Sequence, residues 1–324
     1  MNATPAFAPP TIDDVLAAQR RLRAVLPATP LLREPALDTA LGCALFLKCE
    51  NRQESGAFKL RGATNAIARL REAGIATDVA THSSGNHGAA LALAARRDGR
   101  RAIVVMPGNC VPAKIEAVRS FGGEVILCEA SQQAREQGLA ELVAQGLVPV
   151  PPYEHPDIIA GQGTVALDII EAEPDLDALV TPLGGGGLLA GCVIALAALS
   201  PATRVFGAEP EGAADGHASL RDGKRVSHWQ PETVADGLRA VIGGVNFDII
   251  RAHVAGILLV SEAEIVEAMQ LVFSTTGMAI EPSSAVTVAA LRRHPRPFAG
   301  KRVAVVITGG NVDLQVFPWL AGAQ

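Results

Sequence analysis

The 324-residue chain has no long apolar run, no surplus of basic charge and no cysteine pair of the C-x-x-C kind. Each absence excludes a class of protein. The longest apolar stretch, "LLAGCVIALAAL" from Leu188, falls short of the roughly 20 residues that cross a bilayer, so no membrane partner is expected. With 28 Lys and Arg against 33 Asp and Glu, a net charge of -5, the chain lacks the electrostatic footprint of a nucleic-acid binder. A small molecule is the expected partner. The five cysteines, Cys43, Cys49, Cys110, Cys128 and Cys192, are odd in number and scattered. They read as reduced, mostly buried thiols of a cytoplasmic protein. The opening "MNATPAFAPPTIDD" lacks the basic start and apolar run of a signal peptide. Internal repeats and low-complexity linkers are also missing.

What is present is an ordinary globular composition, 49% hydrophobic and 19% charged, in a chain long enough for about two structural units. Short apolar runs alternate with helical patterns of ten or more residues. The strands "CALFLKCE", "DVATHSS", "RAIVVMP", "EVILCE", "DALVTPLG", "RVFGAEP" and "RVAVVI" are interleaved with helices such as "GATNAIARLREAG", "GNHGAALALAARRDG" and "GLLAGCVIALAALS". That order predicts parallel sheets with crossover helices. The interval 211–250, richer in glycine and charge, reads as a long connecting region.

Sheets of this kind bind ligands where strands turn into helices, and several such turns carry unusual residues. "PLGGGGLLAG" places Gly184, Gly185, Gly186 and Gly187 before an apolar helix, where free amides and the positive helix end suit a phosphate. No P-loop lysine follows, which argues against a Walker-type nucleotide site. A rival reading remains at this point. "GGGLLA" also fits a dinucleotide fingerprint, with Glu209 about 20 residues on as the ribose acid of an NAD oxidoreductase. "THSSGNHGAA" crowds Ser83, Ser84, Asn86 and His87 at a second helix start. One of them would serve as a cap, so four suit a carboxylate. Lys59, in "ESGAFKLRGATNA", would alone read as a surface lysine. Beside a phosphate cradle and a carboxylate cradle, with no evident metal cluster, it suits Schiff-base chemistry with a phosphorylated aldehyde.

Six motifs in order, "SGAFKLRGA", "HSSGNHG", "PYEHPDIIAGQGT", "GGGGLLAG", "AEPEGAAD" and "ITGGNVDL", resemble the serine/threonine dehydratase and serine racemase family, pyridoxal-phosphate enzymes of fold type II. The likeness runs from about residue 10 to 316. It implies an α/β protein of two domains, each an open, mostly parallel twisted sheet flanked by helices. The small domain would be 75–150, and 1–74 with 151–324 the large one. By the same resemblance Lys59 carries the cofactor and serves as general base, Phe58 lies beside the ring and Asn86 is near its 3-hydroxyl. Gly184 to Gly187 hold the phosphate, and Thr308 faces the pyridine nitrogen.

The resemblance further implies that Ser83 and Asn86 bind the substrate carboxylate, with Ser84 and His87 in the same loop. Ser84 matches the residue on the opposite face of the cofactor that reprotonates the α-carbon in racemases. Arg135 matches a position that reaches toward the substrate on domain closure. Glu209, the Ala213 carbonyl and Asp215 resemble a divalent-cation loop suited to Mg2+ or Ca2+. The implied activity is loss of water and ammonia from a 3-hydroxy amino acid of serine, threonine, 3-hydroxyaspartate or phenylserine type. Racemisation of serine or aspartate is the alternative, and a catalytically silent ligand-binding homologue is more remote. Departures from the pattern matter too. Ala240 and Val241 stand where a serine is frequent, while Ala89 and Phe121 replace residues of a nucleotide effector site, so substrate preference is expected to differ and ATP activation is not expected. The chain has no span for a regulatory domain after "TGGNVDLQVFPWL", so isoleucine feedback is not expected. A homodimer is the default assembly.

Overall fold

A computed structural model describes residues 7–312 together with Val316, Phe317 and Trp319. The last residues of the "ITGGNVDL" motif, Asp313 and Leu314, lie outside the described residues. The strands are β1 (Leu31–Arg33), β2 (Ala44–Cys49), β3 (Val79–His82), β4 (Ala102–Pro107), β5 (Glu124–Cys128), β6 (Val148–Pro149), β7 (Ala178–Pro182), β8 (Arg204–Pro210), β9 (Gly256–Val260) and β10 (Arg302–Ile307). They form a six-stranded sheet, β1-β2-β10-β7-β8-β9, and a four-stranded sheet, β5-β4-β3-β6. Only β1 runs antiparallel to its neighbour.

Parallel strands buried on both faces carry continuous apolar runs. "AIVVMP" of β4 and "ALVTP" of β7 are buried at every residue. The helices are α1 (Ile12–Arg23), α2 (Pro35–Leu41), α3 (Lys59–Glu72), α4 (Asn86–Arg97), α5 (Pro112–Ser120), α6 (Gln132–Ala144), α7 (Pro156–Ala172), α8 (Gly187–Leu199), α9 (Asp215–Asp222), α10 (Gly244–His253), α11 (Glu262–Thr276) and α12 (Pro282–Arg293). One face of the large sheet packs on α2, α11 and α12, through Leu37, Ile265 and Val288 against Leu45, Val303 and Val305. The other packs on α1, α7 and α8, through Val15, Ile159 and Leu189 against Leu179 and Ala304. Leu60, Ala63 and Ile67 of α3 join the core of the small sheet with Val79, Ala90 and Val104. Helix α3 therefore links the two sheets.

The region 211–250 departs from the expected connection. It contains a 3-10 turn at Glu211–Ala213, α9 and most of α10. Glycines and charges there cap short helices: Gly223 ends α9 with φ 66°, a conformation glycine adopts without a Cβ penalty.

Helices α7 and α8 touch backbone to backbone, because Gly163 and Gly191 face one another. A Cβ on Gly191 would overlap the Ile159 carbonyl oxygen and the Gly163 amide, and backbone cannot swing aside as a flexible side chain can. Gly191→Ala is expected to destabilise the fold by about 1–3 kcal/mol, read as a lowered midpoint in urea unfolding. An unchanged midpoint would mean that the two helices separate at little cost.

Candidate active site

Because the strands of each sheet run parallel, their carboxyl ends share one side. Loops after β2, β7 and β10 meet those after β3, β4 and β6 across a cleft. Lys59 opens α3 directly after β2 and its 3-10 turn. Its Nζ donates to the Pro152 carbonyl at 2.7 Å and lies 5.1 Å from the Phe58 ring centroid. Among the described residues no carboxylate pairs with it. Burial pushes its pKa down to about 8, since desolvation penalises the charged amine. The amine is thus divided between ammonium and free base near neutral pH.

Thr308, just past β10, is joined to the same loop. Its carbonyl accepts the Phe58 N–H at 2.9 Å, and Ala57 bridges to Gly309. The Thr308 Oγ1 lies 3.0 Å from Ser284 Oγ. Ser284 also exchanges hydrogen bonds with the Gly309 backbone. The sequence reading named Thr308 and missed Ser284, which comes from the first turn of α12 and has no local signature.

In the Ser83–His87 loop the four polar residues have different tasks. Ser83 Oγ accepts from the amides of Gly85 at 3.1 Å and Gly88 at 3.0 Å, which leaves its own proton to donate. Ser84 is exposed. His87 is buried, with Nε2 2.9 Å from the Val150 carbonyl and Nδ1 without a partner. A carbonyl accepts only, so Nε2 carries the proton. Burial, with the Lys59 charge, drives the His87 pKa down to about 3 and keeps it neutral. Asn86 is fixed at both ends: its Nδ2 donates to Glu281 at 3.0 Å, and its Oδ1 accepts from Asn311 Nδ2 at 2.9 Å. Glu281 and Asn311, unread in the sequence, come from distant elements.

Two positions of the glycine loop require glycine. Gly186 has φ 91°, and a Cβ on Gly185 would overlap the ring of Tyr153. Asn246 Nδ2 anchors the loop through the Gly185 carbonyl at 2.6 Å. Helix α8 starts here without a side-chain cap, so its first amides remain open to an anion. Arg135 stands apart. Its guanidinium bonds within α6, to the Ser131 carbonyl and Gln132 Oε1.

Glu209 is fully buried and accepts from the Gly216 and His217 amides at 3.0 and 2.8 Å, while Asp215 accepts from the Ile242 amide at 2.8 Å. Burial, then the Asp215 charge, pushes the Glu209 pKa well up, and burial lifts Asp215 to about 6. Two carboxylates and the Ala213 carbonyl segment share this loop. Among the described residues no group of three or more His, Cys, Asp or Glu side chains assembles around a metal position. The ribose role considered for Glu209 fails on geometry, because the side chain is wholly buried and turned onto the Gly216 and His217 amides, with no face open to a ribose.

Residues 23–309 match the family described as pyridoxal-phosphate dependent enzyme. The chain is 45% identical, over 96% of its length and 99% of the relative's, to a beta-hydroxyaspartate dehydratase of Paracoccus denitrificans. It is 42% identical to an L-threo-3-hydroxyaspartate ammonia-lyase of a Pseudomonas species, over 94% of this chain and 96% of that one. The structure of maize serine racemase superposes with a TM-score of 0.93 at 36% identity, covering 97% of each chain. The site fits such a cofactor: an amine free of any counter-ion, an uncapped glycine-lined helix start for its phosphate, and a neutral hydroxyl pair where its ring nitrogen would face.

Glu281 supplies a pH test. It is wholly buried, and burial, partly offset by Lys114, lifts its pKa to about 7. The folded state therefore favours the protonated acid. Its stabilising effect is full below the ordinary value near 4.5 and is lost as pH rises to about 7. Glu281→Gln, which cannot ionise, is expected to gain on the parent by up to roughly 3 kcal/mol between pH 4.5 and 7. Urea unfolding at both pH values would show a constant difference if Glu281 did not titrate there.

Proposed function

As the chain belongs to the pyridoxal-phosphate dependent enzymes, we propose that it eliminates water from 3-hydroxyaspartate and releases an enamine that takes up one water as it loses ammonia, giving the 2-keto acid. The observation that carries this reading is Lys59, a part-buried amine that donates to the Pro152 carbonyl and, among the described residues, pairs with no carboxylate. The names of the two hydroxyaspartate relatives support the substrate.

When bound, pyridoxal phosphate supplies an electron sink conjugated with the substrate's α-carbon. The protein's residues divide the remaining work. Gly184 to Gly187 and the amides opening α8 would hold the cofactor phosphate, and Phe58 would flank its ring. Asn86, aligned by Glu281 and Asn311, would face the ring's hydroxyl and, with Ser83 and the α4 amides, orient the substrate carboxylate. His87, neutral and tied to Val150, holds that loop against the end of β6. Lys59 Nζ in its free-base form takes the proton from the α-carbon. Thr308 and Ser284 present a neutral partner to the ring nitrogen. Arg135 swings from its own helix to meet the far end of the substrate when the small domain, 75–150, closes on the rest of the chain.

The exposed hydroxyl of Ser84 favours a second reading, proton return to the α-carbon and hence racemisation. Glu209, Asp215 and the Ala213 carbonyl would hold a Mg2+ or Ca2+ ion, whose charge would relieve two crowded buried carboxylates. The protein works in the cytoplasm as a homodimer, in keeping with free cysteines, three of them buried, and with the absence among the described residues of a helix long and apolar enough to cross a membrane.

The purified protein is expected to show a visible cofactor band that Lys59→Ala loses, and to release keto acid from 3-hydroxyaspartate faster than from serine, threonine or phenylserine. Chiral analysis of recovered substrate reads the second activity in the same tubes. Equal rates across the panel, or none with 3-hydroxyaspartate, would overturn the substrate assignment. For the cation, addition of Ca2+ or Mg2+ after chelation is expected to raise the unfolding temperature of the parent but not of Glu209→Gln. An equal response in both would place the ion elsewhere.

A further inference from the structure

Tyr153 is the only tyrosine in the chain, and the mechanism above gives it no task. It stands where three parts of the cleft meet. The residue before it offers the carbonyl that holds Lys59 Nζ at 2.7 Å. Its own carbonyl accepts from Asn246 Nδ2 at 3.4 Å, and its ring lies flat on Gly185, where a Cβ would overlap Cγ and both Cδ atoms. Backbone and glycine loop together therefore fix the direction of the phenol.

Arg135 and Glu136, at the start of α6, and Glu154 and Arg225 are the charged groups near enough to act on the Tyr153 phenol. Burial, followed by the Glu154 charge, pushes the phenol up to about 12. It stays protonated, a neutral hydrogen-bond donor.

3-Hydroxyaspartate differs from serine by a second carboxylate on the β-carbon. Recognition of that group needs charge and a donor of set direction. Arg135 supplies charge, but its guanidinium is bonded to groups of its own helix. Ala240 and Val241, which stand where the family pattern often has a serine, offer no side-chain donor. We propose that Tyr153 is the specificity-determining residue for a substrate bearing a second carboxylate on its β-carbon, its phenol O–H donating to that group while Arg135 neutralises it. This rests on the 3-hydroxyaspartate reading above and adds the residue that selects the substrate.

Tyr153→Phe keeps the ring on Gly185 and removes one O–H. The holoenzyme variant should retain its visible band and its rate with serine, while kcat/KM for 3-hydroxyaspartate falls about tenfold or more, chiefly through KM. Succinate, an unreactive dicarboxylate, should inhibit the variant more weakly by a similar factor, whereas acetate should inhibit both alike. A variant that keeps its preference and its succinate inhibition would overturn the proposal. So would one that loses serine and 3-hydroxyaspartate activity equally, because that is the mark of a structural role. Should the parent fail to act on 3-hydroxyaspartate, the substrate reading falls by itself, and the succinate comparison still decides for or against Tyr153.

Discussion

The site depends on a group of buried charges that carries no chemistry. Helix α3 starts with Lys59 and Arg61, has no acidic residue in its first turn and has no side-chain cap, so two cations sit at the positive end of a helix. Left alone, that arrangement is unfavourable. The compensation is Glu50, which grips Arg61 through both oxygens at 2.8 Å, with Asp168 of α7 at 2.6 Å from the same guanidinium. Lys48 Nζ completes the group at 3.1 Å from Asp168. Burial alone would raise the Glu50 pKa, yet the Arg61 and Lys48 charges hold it below its usual range. Two positive and two negative groups are thus dry and balanced. Such clusters add little net stability, because desolvation offsets their attraction. Their value here is geometric: a bidentate fork permits one orientation of the first turn, and that orientation points Lys59 at Pro152.

With Lys59 placed, the rest follows from strand direction. The large sheet presents the ends of β2, β7, β8 and β10 on one edge, and the small sheet presents β3, β4, β5 and β6. The halves share an apolar seam where Leu60, Ala63 and Ile67 of α3 pack on the small sheet, and polar contacts where the loops of the cleft meet. Asn86 of α4 reaches Glu281 ahead of α12, and Lys114 of α5 pairs with Asp236. Lys114 also lies against Gly85, where a Cβ would meet its Cδ at 2.7 Å. The loop is therefore braced on one side by Glu281 of the opposite half and on the other by Lys114 of its own half, itself tied across to Asp236.

How far this was legible in the sequence differs between strands and contacts. Runs such as "AIVVMP" and "ALVTP" declare themselves because a strand buried on both faces must be apolar throughout, and the glycine quartet declares a phosphate cradle because side chains would block it. The interval 211–250 misled for a physical reason. Its helices are short, and their caps use the same glycines and acids that mark loops. Strand β6, two residues long, is made by its neighbour β3 rather than by its own composition. Among candidate site residues, Lys59, Asn86 and the glycines were readable because they lie where the chain turns from strand into helix. Glu281, Ser284, Asn246 and Asn311 were not, since each matters only through a partner more than twenty residues away. His87 shows the limit within one motif: four polar neighbours in sequence become a cap, an exposed hydroxyl, a doubly bonded amide and a buried imidazole tied to Val150.

The pairing of Thr308 with Ser284 also bears on which reaction prevails. A carboxylate at that position would hold the ring nitrogen protonated and stabilise negative charge on the α-carbon for long periods. Two hydroxyls 3.0 Å apart can donate or accept but cannot supply a full charge. In the proposed reaction, negative charge at the α-carbon would then be short-lived and would leave by the fastest route open. With a hydroxyl on the β-carbon, that route would be expulsion of the hydroxyl; without a leaving group, it would be return of a proton, the role proposed for Lys59 and Ser84. One arrangement of residues thus accommodates both elimination and racemisation, and the substrate's β-carbon decides between them. The groups that grip that carbon's substituents therefore determine the outcome more than the groups that perform the proton transfer.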